Sequence, residues 1–315
     1  MKILFTGASS FTGYWIVNQL KKDGFDVIIV LNKFESNPSD EVRKKRLIDL
    51  KGNFEVYLNI DYGSKDFFEL IKDIEFNIFS HHFFYTKDYK SQNYNISEAL
   101  LISVGNVSQL FDIIRKKECN SIILTGTYFE EGEGGKKSNF PVSPYGLAKT
   151  LAYKIFNYYS KINNINLSKF VIPNPFGPYE DYKFTSYLAD NWLNNKVPLI
   201  KTPSYIRDNI PVDLLAISYS YLVKENLKGN YIFKIAPSGY ISSNKKFAEK
   251  VAIELSRRLK INCKFKTEKQ KDFSEPLKRF NTDNMFKIIK NYKEDLFWDN
   301  LSKYYFSVFN RRNSV

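Results

Sequence analysis

The sequence predicts an α/β fold in which a doubly wound parallel sheet is covered by helices on both faces. Near-continuous apolar segments such as KILFTG, DVIIVLN and NSIILTG alternate with helical segments through the first half of the 315-residue chain, which is typical of buried parallel strands. After Pro173 shorter helices and loops follow. We therefore expect a main domain over residues 1–172, to which residues 208–240 return, and a smaller C-terminal α/β domain over residues 173–315.

Each element of this prediction rests on a local pattern of apolar residues. Apolar runs bounded by turn residues predict strands at KILFTG (2–7), DVIIVLN (26–32), FEVYLNID (54–61), FNIFSHH (76–82), NSIILTG (120–126), LSKFVIPNP (167–175) and NYIFKIAP (230–237). Longer segments with helical periodicity predict helices at TGYWIVNQLKKDG (12–24), SKDFFELIKDI (64–74), ISEALLISVGNVSQLFDIIRKKE (96–118), SPYGLAKTLAYKIFNYYSKI (143–162) and NKKFAEKVAIELSRRLK (244–260).

The composition argues against several kinds of partner. The net charge is +13, but the lysines are scattered and no nucleic-acid-binding motif appears, so we expect a solvated basic surface that attracts anionic substrates rather than nucleic acid. No apolar run is long enough to span a membrane. The first strand begins at Lys2, so we expect no signal peptide, and the distant Cys119 and Cys263 favour a reducing, cytoplasmic setting.

A glycine-containing turn joins the first strand to the first helix. Gly7 ends the strand and Gly13 lies in the first turn of the helix, so the backbone can turn tightly and approach a pyrophosphate at the helix N-terminus. An ordinary strand–helix turn is the alternative. Ser10 stands where a middle glycine is usual, and its hydroxyl or that of Ser9 could donate to a phosphate oxygen. We expect cofactor contacts from Gly7, Ser9, Ser10, Phe11, Thr12 and Gly13.

The end of the second strand indicates which dinucleotide binds. An Asp or Glu there would bond the ribose 2′-hydroxyl of NAD, but this chain has Asn32 followed by Lys33. A cation in this place accepts a 2′-phosphate, so NADP(H) is favoured and NAD(H) remains possible. Asp61, just after the third strand, is a candidate contact for the adenine amino group, or merely a loop cap.

A tyrosine and a lysine one helical turn apart form the candidate catalytic pair. Tyr145 and Lys149 are an i, i+4 pair and therefore share a helix face. The ammonium would lower the pKa of the phenol by stabilising the phenolate, and Lys149 could also hold the nicotinamide ribose. A hydroxyl at the end of the fifth strand, from Thr127 or alternatively Thr125, would bind the reacting oxygen. The pattern predicts hydride transfer with Tyr145 as proton donor or acceptor.

Six motifs in chain order resemble those of the extended short-chain dehydrogenases/reductases, in particular the branch of sugar-nucleotide epimerases, dehydratases and reductases. TGASSFTG resembles that family's TGxxGxxG, FSHHF lies where it has His-Leu-Ala-Ala beside the cofactor, and SPYGLAK resembles its catalytic Tyr-x-x-x-Lys. NPFGP, RDNIPVDLLA and RFNTDNMFKIIKN resemble its later motifs. The resemblance covers nearly the whole chain and implies a Rossmann-type nucleotide-binding domain with a smaller C-terminal substrate domain.

The resemblance also implies roles for single residues and an assembly. His81 would lie beside the cofactor, Asn174 near the phosphates of a nucleotide-sugar substrate, and Arg207 would pair with the nucleotide diphosphate; in the alternative, Asn174 only caps a turn and Arg207 only pairs with Asp208. His81 and His82 are the only histidines, and without a clear carboxylate partner we expect no metal site. Members of this family are usually homodimers whose helices pack as a four-helix bundle.

Departures from the family pattern narrow the predicted reaction. The dehydratases have Thr-Asp-Glu after the fifth strand, whereas this chain reads TGTYFE, with Gly126 where the family's hydroxyl could align. A dehydratase is therefore not expected. We expect an NAD(P)-dependent oxidoreductase that reduces a 4-keto (deoxy)sugar nucleotide. The alternatives are an NAD-dependent nucleotide-sugar epimerase and a non-catalytic NADP-binding regulator.

Overall fold

A computed structural model of the chain describes residues 1–117, 119–135 and 140–310. Its strands are β1 (Lys2–Thr6), β2 (Asp26–Val30), β3 (Glu55–Tyr57), β4 (Ile78–His81), β5 (Ser121–Thr127), β6 (Asn166–Ile172), β7 (Asn174–Phe176), β8 (Leu199–Ile200), β9 (Ile206–Pro211), β10 (Lys234–Ile235), β11 (Pro237–Ser238), β12 (Tyr240–Ser243), β13 (Lys266–Thr267), β14 (Lys278–Arg279) and β15 (Asp283–Asn284). Its helices are α1 (Phe11–Lys22), α2 (Lys33–Ser36), α3 (Glu41–Asn53), α4 (Lys65–Asp73), α5 (Ile96–Val104), α6 (Val107–Ile114), α7 (Pro144–Ile162), α8 (Phe184–Leu193), α9 (Val212–Leu227), α10 (Asn244–Leu259), α11 (Met285–Ile288) and α12 (Glu294–Phe309).

The central sheet has the strand order β3-β2-β1-β4-β5-β6-β10 in the described part of the chain, and all neighbouring strands are parallel. This confirms the predicted α/β fold, including the late return of the chain to the sheet edge as β10. The strand order reverses between β1 and β4, which leaves a crevice at the carboxyl ends of these strands. Ligands of open parallel sheets bind in such a crevice.

Apolar side chains from helices on both sides bury the two faces of the sheet. On one face α1 packs against α9, through Ile16, Val17 and Leu20 on α1 and Leu215, Tyr219 and Leu222 on α9. On the other face α4, α6 and α7 contribute Phe67, Phe111 and Phe156. Burial on both faces explains why the strands read as continuous apolar runs in the sequence.

Two features of the main domain differ from the sequence prediction. The segment 96–118 forms two helices rather than one, since α5 ends before Gly105 and Asn106 adopts a left-handed conformation with φ 58°, which interrupts an α-helix. The chain between β2 and β3 also forms α2 and α3. The apolar residues of α3 are few among charged ones, so its periodicity is a weak signal of a helix.

The C-terminal part of the chain builds a smaller lobe around its own core. Helices α8, α10 and α12 enclose Trp192, Phe247 and Trp298. A small sheet of β7, β9, β12 and β14 lies beside them. Because β9 belongs to this small sheet, the part that returns to the main sheet begins with α9, later than the residue 208 that we expected; the assignment of cofactor and substrate to the two domains stays a prediction. Across the described ranges, no helix has both the length and the apolar character needed to cross a membrane.

Asp213, in the first turn of α9, allows a pH test of this packing. Its Oδ1 accepts hydrogen bonds from Tyr292 Oη at 2.8 Å and Leu214 N at 2.7 Å, and burial raises the pKa of the carboxyl from 3.8 to about 6. The folded chain therefore binds this proton more tightly than the unfolded chain. As the pH rises from about 4 to about 6, the group loses its stabilising protonated form and the free energy of unfolding falls.

The variant Asp213→Asn keeps the accepting oxygen but cannot ionise. We expect it to gain about 1–2 kcal/mol of unfolding free energy relative to the parent protein between about pH 4 and pH 8. Urea unfolding of both proteins at the two pH values measures the difference. If the difference in unfolding free energy between the two proteins is the same at both pH values, the burial of this carboxyl is contradicted.

Candidate active site

The glycine turn after β1 is closed by contacts that leave no room for side chains at its two glycines. Gly7 has φ 83°, and a Cβ atom there would lie 2.6 Å from the backbone nitrogen of Phe83. A Cβ atom on Gly13 would overlap the carbonyl oxygen of Gly7. Ser10 has φ −65° and caps α1, because its hydroxyl accepts from Gly13 N at 3.1 Å and donates to Gly7 O at 2.8 Å. The Ser10 hydroxyl thus stabilises the turn itself, and a contact of Ser10 with a phosphate stays a prediction.

The first turn of α1 has the features of an anion site. The amide groups of Phe11 and Thr12 precede the first intrahelical hydrogen bonds and so have no acceptor within the helix. No acidic residue lies in this turn, and the helix is 12 residues long, so its N-terminal dipole favours negative charge. The residues present therefore fit the pyrophosphate of a dinucleotide.

Below this turn lies a buried ion pair that the sequence analysis missed. The Ser9 hydroxyl donates to Glu35 Oε1 at 3.1 Å and accepts from Arg43 Nε at 3.0 Å. Arg43 Nη2 lies 3.8 Å from Glu35 Oε1, and burial raises the pKa of the Glu35 carboxyl while Arg43 opposes that change. The Ser9 hydroxyl is therefore engaged with protein groups rather than directed to a phosphate. No local pattern in the sequence signals a contact across 34 residues.

The predicted cofactor-selecting residues form one rim at the end of β2. Asn32 caps α2 through a bond from Glu35 N at 2.7 Å, and the backbone N–H of the exposed Lys33 donates to Asp61 Oδ1 at 3.1 Å. Asn32, Lys33 and Asp61 thus lie close together. The guanidinium of Arg43 stacks 4.6 Å from the ring of Phe34 on the same rim. The rim carries two cations near the end of the strand.

The two histidines at the end of β4 are structural. His81 Nδ1 bonds the Thr6 hydroxyl at 3.1 Å and Nε2 bonds the Ser103 carbonyl at 2.8 Å, and burial lowers the pKa of His81 to about 3. Both ring nitrogens are thus engaged inside the core, and a contact of His81 with the cofactor stays a prediction. His82 bonds the hydroxyls of Thr12 and Thr125 at 3.0 and 2.9 Å. Among the described residues no His, Cys, Asp and Glu group is placed to hold a metal ion.

Lys149 is buried at the end of β5. Its ammonium donates to the carbonyl oxygen of Thr125 and lies 4.4 Å from the ring centroid of Phe84. Burial lowers the pKa of Lys149 to about 8. Thr125 thus holds the lysine with its carbonyl, while its hydroxyl bonds His82; its role at the reacting oxygen stays a prediction.

Tyr145 lies in an aromatic enclosure. Its ring packs at 5.4–6.3 Å from the rings of Phe84, Tyr89, Tyr94 and Phe129. Burial raises the pKa of the phenol above its usual value, which is the reverse of the expected lowering by Lys149. The phenol is thus held in its protonated form, which suits a proton donor.

Gly126 is explained by a buried ion pair that fills the space beside it. Glu130 Oε1 accepts from Thr127 N at 2.7 Å, and Glu130 Oε2 pairs with Lys169 Nζ at 2.5 Å. Glu133 provides a second carboxylate for Lys169 at 3.1 Å. A Cβ atom on Gly126 would lie 2.6 Å from Glu130 Oε1 and 2.7 Å from Lys169 Cε. The glycine therefore makes room for a carboxylate that fixes the backbone of Thr127.

Arg207 and a second arginine, Arg279, lie side by side on β9 and β14. Both are buried, and both guanidinium groups contact the carboxylate of Glu275. Arg279 Nε and Nη1 are buried without a hydrogen-bond partner among the described residues. Asn174 lies on the neighbouring β7 and donates to Asn209 Oδ1 at 2.6 Å. The RDNIPVDLLA motif predicted a role for Arg207, whereas no role was predicted for Arg279, the first residue of RFNTDNMFKIIKN.

The arginine pair adjoins the candidate catalytic pair, Tyr145 and Lys149, through one aromatic ring. The guanidinium of Arg279 stacks 4.0 Å from the ring of Phe129, and that ring lies 6.3 Å from the ring of Tyr145. The structure thus brings Tyr145, Lys149 and Arg279 to one side of the crevice.

The crowding at Gly126 gives a test of this geometry. Gly126→Ala must displace the Glu130–Lys169 pair, so we expect the free energy of unfolding to fall by about 1–3 kcal/mol. At Gly52, in α3, no atom lies within 4 Å of the place that a Cβ atom would take, and Gly52→Ala is the control, expected to stabilise by up to about 1 kcal/mol. Thermal and urea unfolding measure both. Equal effects of the two substitutions would refute the close packing.

Comparison with known proteins identifies relatives over most of the chain. A putative UDP-glucose 4-epimerase of Methanocaldococcus jannaschii is 24% identical over 235 residues, which cover 69% of this chain and 73% of that protein. The CDP-abequose synthase of Salmonella typhimurium is 25% identical over 233 residues, which cover 72% of this chain and 71% of that protein.

Solved structures show the same fold along almost the full length. The crystal structure of UDP-glucuronic acid 4-epimerase from Bacillus cereus, in complex with UDP-glucuronic acid and NAD, has a TM-score of 0.74 at 17% identity and covers 98% of this chain and 100% of that one. UDP-glucose 4-epimerase from Thermotoga maritima has a TM-score of 0.73 at 16% identity, with 98% and 99% covered. The model of one family matches residues 3–236, and the chain belongs to that NAD dependent epimerase/dehydratase family.

Proposed function

We propose that the protein reduces a 4-keto group on a nucleotide-activated sugar with NADPH. The observation that carries this proposal is the contact chain from Tyr145 through Phe129 to Arg279. It joins a phenol held in its protonated form to a buried guanidinium whose Nε and Nη1 have no hydrogen-bond partner in the described part of the chain. A proton donor next to an anion site suits a carbonyl substrate that carries phosphates.

The reaction divides between a cofactor and the side chains of the pair. NADPH, held at the glycine turn and the β2 rim, would supply the hydride for the carbonyl carbon. Tyr145 donates its proton to the carbonyl oxygen, so that the product is an alcohol and the phenol becomes a phenolate. Lys149 stabilises that phenolate by its charge, and a proton from solvent restores the phenol. Thr127, with its backbone fixed by Glu130, would orient the carbonyl oxygen.

Arg207 and Arg279 would bind the diphosphate of the nucleotide. Planar guanidinium groups bind phosphate oxygens through paired hydrogen bonds. The N–H groups of Arg279 Nε and Nη1 have no acceptor among the described residues and could donate to such oxygens. Asn174, on the strand next to β9, would lie near the same phosphates. The buried positions of both arginines strengthen their interaction with an anion, because little water competes for them.

The rim at the end of β2 supports NADPH over NADH. Both oxygens of the nearby Glu35 are engaged, by Ser9 and by Asn32 N, and Asp61 Oδ1 accepts from Lys33 N, so the two carboxylates of this rim already accept hydrogen bonds from the protein. Lys33 and Arg43 place positive charge at this rim, where a 2′-phosphate would be attracted. The name of the family and the NAD in its solved structures leave NAD(H) as the alternative.

A nucleotide-sugar epimerase is the second candidate function. The relative from Methanocaldococcus jannaschii and the solved structures are named as 4-epimerases, which favours this function. The relative from Salmonella typhimurium is instead named CDP-abequose synthase. An epimerase would remove and return a hydride through the same pair and keep its cofactor bound. Net oxidation of NADPH distinguishes the reductase from the epimerase, and from a non-catalytic regulator.

We also propose that the chain forms a homodimer through α5 and α7. These two helices pack against each other and expose Leu101 on α5 and Tyr158 and Ile162 on α7. A second copy of the same helix pair would bury these side chains in a four-helix arrangement. A cytoplasmic location would fit the two cysteines, which are both free.

The assignment of Tyr145 is tested with 4-keto nucleotide sugars and NADPH. We expect Tyr145→Phe to lower kcat by about 10²–10⁴-fold, because no proton can then be donated to the carbonyl oxygen. Tyr158→Phe, at the surface of the same helix, keeps the aromatic ring that we place in the dimer interface and is remote from the aromatic enclosure of Tyr145; it is the matched control and should keep full activity. The loss of absorbance of the reduced nicotinamide measures the rate. No NADPH oxidation by the parent protein with any 4-keto nucleotide sugar would rule out the reductase.

Cofactor preference is tested at the β2 rim. We expect Lys33→Glu to weaken NADPH binding about tenfold, which is about 1.4 kcal/mol, and to leave NADH binding nearly unchanged, because only the 2′-phosphate meets the new charge. Lys246→Glu makes the same charge change on the exposed start of α10 and should affect neither. Titration calorimetry with both nucleotides measures the ratio. Equal loss of NADPH and NADH affinity would contradict the assignment.

A further inference from the structure

One carboxylate oxygen of this chain bridges the arginine pair. Glu275 Oε2 accepts from Arg207 Nη2 at 2.8 Å and from Arg279 Nη2 at 3.0 Å. The side chains of Arg207 and Arg279 are 7% and 6% exposed, whereas that of Glu275 is 45% exposed. The carboxylate therefore reaches from a solvent-exposed loop onto two buried cations.

Glu275 leaves part of the arginine pair unsatisfied. Arg207 Nη1 donates to backbone carbonyls of Ile206 and Pro276, but Arg279 Nε and Nη1 have no partner among the described residues. Buried charged donors without an acceptor are unfavourable. A ligand with more oxygen atoms than one carboxylate would satisfy this site better than Glu275 does.

The loop that carries Glu275 is weakly anchored. Residues 271–275 are exposed, and Phe273 is 63% exposed. The loop is held before this stretch by Gln270, whose Oε1 accepts from Ser204 N at 2.9 Å, and after it by β14. Within the stretch, the Tyr205 hydroxyl accepts from Glu275 N at 3.2 Å and donates to Asp272 Oδ1 at 3.5 Å. A segment with little buried apolar surface opens at small free-energy change, so Glu275 can leave the arginines without unfolding of the lobe.

We propose that Glu275 is a displaceable intramolecular ligand of the arginine pair, which the diphosphate of the nucleotide sugar must replace. This inference rests on the proposed function, in which the same arginines bind that diphosphate. In the molecules in which Glu275 contacts the arginines, the nucleotide sugar cannot bind. The apparent affinity for the nucleotide sugar therefore falls in proportion to the fraction of molecules in which this contact is open. Glu275 thus sets the substrate affinity and excludes anions too weak to displace it.

The variant Glu275→Gln tests whether Glu275 competes with the diphosphate or only supports the fold of the loop. The neutral side chain keeps its shape but loses its attraction to the arginines, so we expect UDP, CDP or GDP, whichever the protein prefers, to bind about five- to tenfold more tightly. Glu268→Gln makes the same charge change at an exposed position of the same loop and should leave the affinity unchanged. Titration calorimetry at fixed ionic strength measures both.

Thermal unfolding with and without nucleotide provides a second measurement of binding, which remains usable if Glu275→Gln is less stable than the parent protein. Without nucleotide, Glu275→Gln should unfold at a lower temperature because two buried cations lose their partner; with nucleotide its gain in unfolding temperature should exceed that of the parent. Glu275→Asp, which retains the charge on a shorter side chain, should show an intermediate affinity. Unchanged or weaker binding by Glu275→Gln would overturn the proposal.

Arg279→Met distinguishes failure of this inference from failure of the proposed function. If Arg279→Met weakens nucleoside diphosphate binding while Glu275→Gln does not strengthen it, the arginine site stands and only the role of Glu275 is wrong. If Arg279→Met leaves binding unchanged, or if none of the three nucleotides binds, the diphosphate assignment itself is wrong, and with it the role of Glu275.

Discussion

Positive charge buried at the carboxyl edge of the sheet is the constraint on which the rest of the site depends. Lys149, Lys169, Arg207 and Arg279 are all buried there, and a buried cation is tolerated only when anions or hydrogen-bond acceptors surround it. Each cation therefore dictates what lies beside it. Glu130 and Glu133 supply anions to Lys169, and Glu275 supplies one to the arginines. Gly126 leaves space for Glu130 beside Lys169.

The cations differ in how fully the chain itself satisfies them, and this difference separates structure from function. Lys169 has two carboxylates, from Glu130 and Glu133, and acts as a support for the end of β5. Lys149 has a backbone carbonyl and an aromatic ring, and Arg279 has donors left over. The residues whose charge is least compensated are the ones that we assign to cofactor and substrate.

The sequence predicted those parts of the site that depend on local spacing. The strand–turn–helix around Gly7, the helix that carries Tyr145 and Lys149, and the parallel sheet all follow from short-range periodicity. It could not predict contacts between distant segments. Neither Glu35 beneath the glycine turn nor Glu275 on Arg207 has a signature in the sequence, because each acts only through a partner brought close by folding. The aromatic enclosure of Tyr145 likewise gathers rings from separate segments and reversed the expected direction of its pKa.

A crystal structure of the protein with NADP⁺ and the nucleoside diphosphate that it binds most tightly would show whether the buried arginines bind the substrate diphosphate. We expect diphosphate oxygens within hydrogen-bond distance of Arg279 Nε and Nη1, and the pyrophosphate of the cofactor at the N-terminus of α1. We also expect Glu275 to be turned away from both arginines. A diphosphate bound elsewhere, with Glu275 still bridging Arg207 and Arg279, would contradict these expectations.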